Sequence, residues 1–585
     1  MNDIELREGA TASITRAFIS RGLKLIDGAE LAFDWDVTIE GIEFKLRVWA
    51  IDPSFRYLPL VKLREIPEKL PCFLPHVIGK DQLLCYLDTT GTYFDPFEPA
   101  ISAHLIVDAI EQTLLILVDE ESSNRDFGVE FGAYWAPKYP GYLTTTQLQS
   151  EASILRTSGA GNRERVEAVI HDGGKCFEQW SANRNLREHL GRYPALVIPL
   201  KDTSCIPQDR QWPPASWRDF LNWLFTYHPG TELHLLEKLI ETVGQSLRIF
   251  IVLIDPVSGP FGVVVSFSAT VKRSTSRFRK GRAKGKNALS VRQLRTVLKS
   301  PMHVESFERW GIEDLTEPFL INRNLGLPSL EGRKLAVLGC GTVGAHIANL
   351  LSKVGAGTGR DAELSLYDGD YLRPANLGRH LLGVEYLGEK KAEGVADKIK
   401  KESVHPRTIS ANGYLEPEQF QSVFDNSLVV DATGDEQFST QLSFIAQRIR
   451  QLGATVNILH VWVDANGLAV RALLDDGSGG CYRCLKTYET SSGHKTLVER
   501  FPLFTDRNEL PKSARIHYQC GESYVPFSEG VSVVAAGLGQ QMAMEFFSGE
   551  IGPRFRHISL HTGVRQTKSQ NISRYSGCPC CNSTT

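Results

Sequence analysis

Three glycines occur at the spacing that a phosphate-binding turn requires. The apolar residues 335–338 lead into Gly339, Gly341 and Gly344, and an apolar stretch with helical spacing follows. Glycines in such a turn let the backbone approach a phosphate, and the amino-terminal end of the following helix favours negative charge. The same arrangement serves NAD and FAD, so the turn alone predicts only a nucleotide site.

The polar residues after the turn favour triphosphate chemistry over dinucleotide binding. Asp368 ends the next apolar run, at the place expected for an acid that binds ribose. Asp370 has no such role in a dehydrogenase, but a second carboxylate beside a triphosphate suits Mg²⁺. Arg379 and Lys391 supply positive charge that offsets the charge of a leaving pyrophosphate. The combination predicts adenylyl transfer from ATP.

Two Cys-x-x-Cys pairs lie in the carboxyl-terminal part of the chain, one at Cys481 and Cys484 and the other at Cys578 and Cys581. Either pair alone is also consistent with a redox site. Together they supply the four thiolates of a tetrahedral Zn²⁺ site, and an all-cysteine ligand set is typical of a closed structural site. Cys580 is then a spare thiol, unless it replaces one of its neighbours as a ligand.

An acyl adenylate is a reactive product, and a thiolate is the side chain suited to trap it as a thioester. Cys520 lies between the two cysteine pairs, after a polar and loop-like segment at 487–512. We therefore predict that Cys520 is a catalytic nucleophile, with a buried structural cysteine as the alternative. Cys340, within the glycine turn, is expected only to pack there.

The composition is that of a folded multidomain protein. The chain has 585 residues, more than one ordinary hydrophobic core accommodates, and 42% of them are hydrophobic and 23% charged. The net charge of −3 indicates no class of partner. Residues 272–286 are rich in Lys and Arg, and we interpret them as a solvated loop, with a nucleic-acid contact as the less favoured alternative. Without a signal-type or membrane-spanning segment, we expect a cytoplasmic protein whose cysteines serve metals and thiol chemistry.

The periodicity of the apolar residues predicts the elements that position these groups. Residues 28–50 alternate as in a β-meander and 101–118 have helical spacing, which predicts an α+β domain over 1–155. Strands and a helix are expected over 156–310, an α/β linker domain without an assigned role. Strands and helices alternate over 311–585, which predicts a mostly parallel sheet in a Rossmann-like α/β domain.

Residues 320–585 resemble the adenylation domain of the ubiquitin-activating enzymes and of their bacterial thiamine- and molybdopterin-pathway relatives, which is called ThiF-type below. The resemblance is carried by the glycine turn in combination with three motifs, Asp368-x-Asp370, Asn376-Leu-x-Arg379 and Gly388-x-x-Lys391. It implies that Asp368 binds ribose and Asp370 binds Mg²⁺. It also implies that Asn376, Arg379 and Lys391 bind the phosphates.

The same resemblance implies further site residues. In the family another Asp after the fourth strand helps to hold the metal, and here Gly434 stands at that position, so Asp435 is the candidate after a shift of one residue. An Arg ahead of the first strand reaches a nucleotide, often across a dimer, and Arg323 is its match. The family also carries its thioester cysteine on a crossover segment, as Cys520 does, although Gly521 replaces the usual Thr.

Residues 25–125 resemble a ubiquitin-conjugating enzyme. Pro75-His76 stands about nine residues before Cys85, and a proline-bearing loop and a helix follow, as in that family. The resemblance implies that Cys85 carries an acyl group as a thioester. His76 is then a candidate to stabilise the oxyanion that forms when an amine attacks, with a histidine satisfied in the core as the alternative.

A conjugating-type domain followed by an activating-type domain is similar to the fused enzymes of bacterial CBASS anti-phage operons. The resemblance implies that the partner is a cGAS-like nucleotidyltransferase (CD-NTase), whose carboxyl terminus is adenylated, captured by Cys520, passed to Cys85 and joined to a lysine of a target protein. It also implies a homodimer formed through the activating domain. Two alternatives stay open, conjugation of a dedicated ubiquitin-like modifier and a nucleotide-binding scaffold with inactive cysteines. An NAD dehydrogenase is a more distant one.

Overall fold

The structure, a computed structural model, describes residues 3–581 apart from 29–30, 72, 80, 88–91, 159–162, 185, 206–211, 273–290, 417–418, 492–493, 505–515 and 520–521. The described part of the chain divides into two units. One unit comprises Met1–Gly173 and Leu186–Asp314, and the other comprises Gly174–Asn185 and Leu315–Thr585.

The first unit begins with an antiparallel sheet and helices. Its elements are α1 (Asp3–Ser20), β1 (Lys24–Leu25), β2 (Phe33–Ile39), β3 (Ile42–Trp49), β4 (Leu60–Leu63), β5 (Val77–Ile78), β6 (Leu83–Leu84), α2 (Pro99–Val118) and α3 (Glu120–Tyr134). The strands pair in the order β1-β2-β3-β4-β6-β5. Glu40 and Gly41 form the turn between β2 and β3 with φ values of 49° and 82°, the left-handed pair that a two-residue hairpin loop requires.

The meander and the helix predicted from the sequence are both confirmed, and they form one core. Phe33 and Trp35 on β2 and Phe44 on β3 are buried, and their polar neighbours face outward. The same cluster contains Ile110 and Leu114 of α2. Alternating burial along the strands and a buried stripe on the helix therefore close the sheet against α2.

The helix α2 is, among the described residues, the one helix that is long and apolar enough to cross a membrane. Eight of its side chains, including Ile106 and Ile110, are buried inside the first unit. Length and composition of this kind are shared by the core helices of folded domains. The packing of α2 is that of such a core helix.

The rest of the first unit is built around a closed barrel. The elements in this part of the chain are β7 (Tyr139–Leu143), β8 (Gln149–Ser158), β9 (Glu164–His171), α4 (Lys175–Asn183), β10 (Leu186–Pro199), α5 (Trp217–Tyr227), α6 (Pro229–Val243), β11 (Arg248–Asp255), β12 (Gly259–Phe267), α7 (Val291–Lys299) and β13 (Val304–Asp314). The strands close in the order β10-β11-β12-β13-β7-β9-β8, and α4 belongs to the second unit.

The barrel corrects the predicted boundary at residue 155. That boundary cuts through β8, because the barrel already begins at β7 and pairs β7 in parallel with β13, far along the chain. The strands β11 and β12 confirm two of the strands expected over 156–310, which the apolar runs at 248–254 and 261–267 predict. The helix α6 and the strand β13 have no counterpart among the predicted elements, and for β13 the reason is that its pairing with β7 is long-range.

The second unit has a mostly parallel sheet, as the alternation of strands and helices predicts. Its elements are α8 (Glu317–Asn322), β14 (Lys334–Leu338), α9 (Thr342–Lys353), β15 (Glu363–Tyr367), α10 (Lys391–Glu402), β16 (Ile409–Asn412), α11 (Phe420–Val423), β17 (Leu428–Asp431), α12 (Glu436–Gln451), β18 (Ile458–Asp464), β19 (Ala469–Asp475), β20 (Lys486–Ser491), β21 (His494–Glu499), β22 (Ile516–Gln519), β23 (Glu522–Tyr524), α13 (Glu529–Ser548) and β24 (Phe555–Ser559).

The order of this sheet, β16-β15-β14-β17-β18-β19-β24, places the functional groups. The strands from β16 to β18 run parallel, β19 runs antiparallel to them, and β24 pairs antiparallel with β19 and so has the direction of the parallel strands. Parallel strands end at a common edge, where ligands of open α/β sheets bind. The Gly339 turn, Asp368 and Asp431 follow or end three neighbouring strands at this edge, which we call the carboxyl edge.

The segment predicted to be loop-like at 487–512 contains a hairpin instead. The strands β20 and β21 pair antiparallel from Lys486 opposite Glu499 to Ser491 opposite His494. Val498 is buried while most neighbouring side chains of β21 are exposed, so the polar composition reflects a hairpin with a largely solvated surface.

We expect Ile110→Ala to lower the free energy of unfolding by about 2–5 kcal/mol, because it removes buried methyl groups from the α2 core. The matched control is Ile101→Ala on the same helix, where the side chain is 56% exposed and the expected cost is within about 0.5 kcal/mol. Denaturant unfolding of both variants measures the difference. Equal costs would contradict the core role of α2.

Candidate functional site

The glycine turn joins β14 to α9 through a close backbone contact. Gly339 has a φ of +83°, in the left-handed region that side chains rarely adopt. A Cβ added to Gly344 would lie 1.8 Å from the carbonyl oxygen of Gly339, so glycine is required there. A Cβ on Gly341, which precedes the first residue of α9, would meet nothing within 4 Å. The turn is therefore closely packed between Gly339 and Gly344, and it has open space at Gly341, beside the amino-terminal end of α9.

Asp368 holds the turn from the neighbouring strand. Its carboxylate accepts hydrogen bonds from the Cys340 N–H at 2.8 Å and from the Asp370 N–H at 2.8 Å. Burial raises the pKa of Asp368 even though these bonds favour the charged form. Cys340 is fully buried within the turn and burial raises the pKa of its thiol, which agrees with the packing role predicted for it.

Asp370 forms an ion pair with Lys391 at the mouth of the turn. Lys391 Nζ lies 2.9 Å from Asp370 Oδ2, and the Tyr414 hydroxyl donates to Asp370 Oδ1. The bonds from Tyr414 and then Lys391 lower the pKa of Asp370, although partial burial opposes them. The structure therefore brings together the acid and the lysine that the sequence places on different motifs.

Asn376 and Arg379 lie in the loop between β15 and α10 and have local partners. Asn376 Oδ1 accepts a hydrogen bond from the Arg373 N–H at 3.0 Å. Arg379 Nη1 donates to the carbonyl of Val525 at 2.6 Å, and its guanidinium lies 4.4 Å from the centre of the Phe527 ring. The main-chain carbonyl of Arg379 accepts a bond from Thr342 Oγ1, so the Arg379 loop is attached to the first turn of α9.

The acid that follows β17 has a capping role. Asp435 is exposed and begins α12, where its Oδ1 accepts hydrogen bonds from the Gln437 N–H at 2.9 Å and the Phe438 N–H at 3.1 Å. Gly434 before it has a φ of +67°. Because the acid stands at position 435 and glycine at 434, the carboxylate lies at the amino-terminal end of α12.

A buried acid lies beneath that cap, at the end of β17. Asp431 is 2% exposed and accepts bonds from Thr433, Ser439 and His460, with His460 Nδ1 at 2.7 Å from Asp431 Oδ2. Burial alone would raise the pKa of Asp431, but the bonds from His460 and the two hydroxyls lower it. This network fixes the end of β17 below the Gly434 turn.

Arg323 is exposed at the end of α8, with its guanidinium 5.6 Å from the centre of the Phe319 ring. Cys520 lies outside the described residues, as does most of the basic segment 272–286. The roles predicted for Arg323 and Cys520 stay predictions.

The two Cys-x-x-Cys pairs come together as the sequence predicts. Their four Sγ atoms lie within 4.8 Å of one another, at 3.7 Å for Cys481–Cys578, 3.6 Å for Cys484–Cys581 and 3.9 Å for Cys481–Cys484. A tetrahedral metal with bonds of about 2.3 Å to sulfur would set these separations near about 3.8 Å. The donor set and its geometry therefore fit a metal ion. Cys580 is buried beside them.

Cys85 is exposed in the first unit, just after the short strand β6. Its N–H donates to the carbonyl of His76 at 2.7 Å. Both ring nitrogens of His76 lie against carboxylates of α3, Nε2 at 3.1 Å from Asp126 and Nδ1 at 2.9 Å from Glu130. The ring donors of His76 are thus directed at acids, which differs from the geometry of an oxyanion donor.

Sequence reasoning missed several residues that contact the predicted ones. Tyr414 follows β16 at the carboxyl edge. Because ligands of parallel sheets bind where the strands end, this position could have identified Tyr414 as a candidate site residue. Asp126 and Glu130 lie one turn apart on α3, about fifty residues after His76, and no local motif connects them. His460 lies inside an apolar strand, where a histidine carries no signal of its partner.

A cleft of about 570 Å³ opens beside the carboxyl end of β18. Trp462 and Asp464 of β18 line it together with Glu436 of α12 and Leu497 and Glu499 of β21. Since β18 neighbours β17 and ends at the carboxyl edge, this cleft and the glycine turn share one edge of the sheet. The cleft is mixed in character, with aromatic and aliphatic walls, acidic side chains and the basic side chains of Arg471 and Lys486.

We expect Gly344→Ala to weaken ATP binding by about tenfold or more, because its Cβ would overlap the Gly339 carbonyl and displace the turn. Gly537→Ala on α13 is the control, since a Cβ there meets nothing within 4 Å. Calorimetric titration with ATP compares them. Normal ATP affinity in a folded Gly344→Ala protein would contradict the assignment of the turn.

Comparisons with known proteins match both parts of the chain. A prokaryotic E2 family B model matches residues 11–144, and a ThiF family model matches residues 320–563. The ATP-dependent ubiquitin transferase-like protein Cap2 of Escherichia coli is 29% identical over 553 residues, which cover 91% of this chain and 90% of the relative. Cap2 of Pseudomonas aeruginosa is 26% identical over 551 residues, covering 91% of each chain.

A third relative and the solved structures complete the comparison. Cap2 of Vibrio cholerae is 27% identical over 560 residues, which cover 91% of this chain and 90% of the relative. The crystal structure of Escherichia coli MccB with MccA-N7isoASN is 18% identical and covers 43% of this chain and 68% of that chain, with a TM-score of 0.32. The chain thus joins a prokaryotic E2 family B domain to a ThiF family domain with an adenylation fold, and it is an enzyme of the ubiquitin-transferase type.

Proposed function

We propose that this enzyme adenylates the carboxyl terminus of a partner protein and passes it through thioesters to an amine. The observation that carries the proposal is the Asp370–Lys391 pair at the mouth of the Gly339 turn, in a chain that also exposes Cys85. An acid paired with a lysine beside a phosphate-binding turn suits adenylyl transfer from ATP. An exposed cysteine in an E2-type domain suits acyl transfer.

In the first step, a carboxylate oxygen of the partner attacks the α-phosphorus of ATP. The bond from that phosphorus to the bridging oxygen breaks, and pyrophosphate leaves as the acyl adenylate forms. We assign Gly339, Gly341 and Gly344 to the phosphates and Asp368 to the ribose. Asn376, Arg379 and Lys391 are assigned to the phosphate oxygens, where positive charge and amide donors offset the charge of the leaving group.

The ion pair at the mouth of the turn supports an exchange of partners on ATP binding. Lys391 would leave Asp370 for a phosphate oxygen, and Asp370 would then be free for Mg²⁺, which supplies charge neutralisation for the triphosphate. Before ATP binds, the bonds from Tyr414 and Lys391 lower the pKa of Asp370, so the acid is ionised and suited to a hard cation. Asp435 is proposed as the second acid on the metal side, in place of Gly434.

In the later steps, we assign Cys520 as the first thiolate and Cys85 as the second. The Cys520 thiolate would attack the acyl adenylate and release AMP, and Cys85 would attack that thioester and release Cys520. A lysine amine of a target protein would then attack the Cys85 thioester, forming an amide and releasing the thiolate. The exposure of Cys85 supports this role, because a protein-sized acceptor must reach the sulfur.

The partner we propose is a cGAS-like nucleotidyltransferase of a CBASS operon, acting in the cytoplasm. Its carboxyl-terminal segment would lie in the cleft lined by Trp462, Asp464 and Leu497, which shares the carboxyl edge with the glycine turn. A homodimer through the ThiF domain is proposed as well, with Arg323 reaching the nucleotide of the other subunit. The exposure of Arg323 supports this role.

We propose that Cys481, Cys484, Cys578 and Cys581 hold a structural Zn²⁺. The sulfur separations of 3.6–3.9 Å match the edges of a tetrahedral thiolate site. The site would join the segment after β19 to residues near the end of the described chain. Cys481 and Cys578 are 97 residues apart in the sequence, and so are Cys484 and Cys581. A closed site of this kind contributes folding free energy and no catalytic step.

We expect one zinc per chain in the purified protein, measured by inductively coupled plasma mass spectrometry. Cys481→Ser should lose the metal and lower the melting temperature of the second unit, because it removes a buried ligand. Cys205→Ser, at an exposed cysteine outside the cluster, is the control and should keep the full metal content. A protein that folds with full stability and no metal would contradict this site.

We expect incubation with ATP and the co-encoded partner to give a covalent adduct that reductant removes, seen on gels run without reductant. Cys85→Ala should leave the partner on Cys520 only, Cys520→Ala should abolish both thioesters, and Lys391→Ala should abolish adenylation because it removes charge at the leaving phosphate. Glu550→Gln, an exposed acid after α13, is the control. An adduct unaffected by Cys520→Ala would contradict the relay.

The same experiment separates the alternatives. Adduct formation with a small co-encoded modifier, and none with the nucleotidyltransferase, would favour conjugation of a dedicated ubiquitin-like protein. ATP binding with no thiol-labile adduct on any cysteine would favour a nucleotide-binding scaffold.

A further inference from the structure

His76 has a backbone conformation that requires support from its surroundings. Its φ is +60°, in the left-handed region where residues other than glycine are uncommon. Such residues persist where neighbouring groups over-determine them, and they concentrate at functional sites. His76 precedes β5 directly, at the start of the hairpin that ends at Cys85.

Three bonds from α3 hold His76 in place. The His76 N–H donates to Glu130 Oε2 at 3.2 Å, and the ring places Nδ1 2.9 Å from Glu130 Oε1 and Nε2 3.1 Å from Asp126 Oδ2. Tyr134, one turn further along α3, donates its hydroxyl to Glu130 Oε2 at 2.7 Å. We call Asp126, Glu130 and Tyr134 the α3 clamp.

The clamp acts on Cys85 through the main chain. In the β5–β6 hairpin Val77 pairs with Leu84, and the next position places the His76 carbonyl against the Cys85 N–H at 2.7 Å. The strand β6 is also paired with β4, through Lys62 opposite Leu83, whereas β5 is a two-residue strand at the edge of the sheet, and pairing of that length is weak without outside support. The bond from the Cys85 N–H to the His76 carbonyl therefore depends on what holds His76.

We propose that Asp126 and Glu130 are positioning residues for Cys85, which grip His76 from α3 so that its carbonyl fixes the Cys85 amide and presents the thiol in one orientation. The proposal rests on the proposed function, in which Cys85 carries the acyl group. It replaces the oxyanion role considered for His76 with a main-chain role. The imidazole donors are directed at carboxylates, and the Cys85 N–H is already donated to His76.

The clamp has a pH dependence whose sign follows from its charges. The charged groups that face the His76 ring are Asp126 and Glu130 of α3, with Tyr134 bonded to Glu130 beside them. The bonds to Glu130 and then Asp126 raise the pKa of His76 against the effect of burial. A raised pKa means that the clamp is complete below about pH 6.5, the ordinary value, and weakens as pH rises through the raised value.

Hydrogen exchange of the Cys85 amide tests the clamp directly in the full chain. We expect Glu130→Gln and Asp126→Asn each to speed exchange in peptides spanning 83–87 by about tenfold, because the His76 carbonyl is no longer fixed. Glu121→Gln, an exposed acid on the first turn of α3, is the matched control and should change nothing. Unchanged exchange in both clamp variants would overturn the proposal.

Variants of His76 test whether its supported conformation matters to acyl transfer from Cys85. Asn tolerates the left-handed region and keeps an amide donor for one carboxylate, so His76→Asn should transfer an acyl group from Cys85 to free lysine several-fold faster than His76→Ala. Equal loss in both variants, at equal melting temperature, would overturn the main-chain role. The protection factor of the Cys85 amide should also fall with rising pH in the unsubstituted protein and not in Glu130→Gln.

The failure of this inference differs from the failure of the proposed function. If Glu130→Gln speeds hydrogen exchange of the Cys85 amide but the protein never forms a Cys85 thioester, the clamp is upheld and the acyl-transfer role is contradicted. Conversely, a Cys85 thioester could form while the Cys85 amide exchanges at the same rate in the clamp variants as in the unsubstituted protein. That result would uphold the acyl-transfer role and contradict the clamp.

Discussion

The parallel pairing of β14 with β15 and β17 is the constraint on which the nucleotide site depends. It aligns Leu338 with Tyr367 and with Asp431, so the chain leaves three neighbouring strands at one edge. Asp368 can then bond the Cys340 amide across the sheet, and the Gly339 carbonyl can approach Gly344. A shift of register at β14 would separate all of these groups at once.

Three acids at the sites described share one physical property, since each is paired with a basic side chain before any substrate arrives. Asp370 is paired with Lys391, Asp431 with His460, and Glu130 with His76. Asp431 and His460 are both buried, so a ligand from solvent cannot replace either partner. This pair stabilises the turn that follows β17. In the other pair Asp370 is exposed, although Lys391 is largely buried, and the acid faces the mouth of the glycine turn, where a charged ligand can replace either partner. Exposure therefore distinguishes the structural acid from the candidate catalytic one.

The sequence allowed prediction of those parts that depend on local pattern or close spacing. The glycine turn, the Asp368 and Asp370 positions and both cysteine pairs follow from motifs, and strands such as β14 follow from apolar runs. The barrel boundary was misplaced because β7 pairs with β13 across most of the first unit. The α3 clamp was missed for the same reason, because Asp126 and Glu130 lie about fifty residues after His76 and contact it only through the tertiary fold.

The most direct test of the central claim is exchange of labelled pyrophosphate into ATP, which occurs only if an acyl adenylate forms reversibly. The account predicts exchange that requires the partner protein with a free carboxyl terminus and disappears when that terminus is amidated or removed. It also predicts that Cys85→Ala leaves this exchange intact, because Cys85 acts after adenylation. Exchange without any partner, or no exchange in the presence of ATP, Mg²⁺ and the partner, would contradict the account.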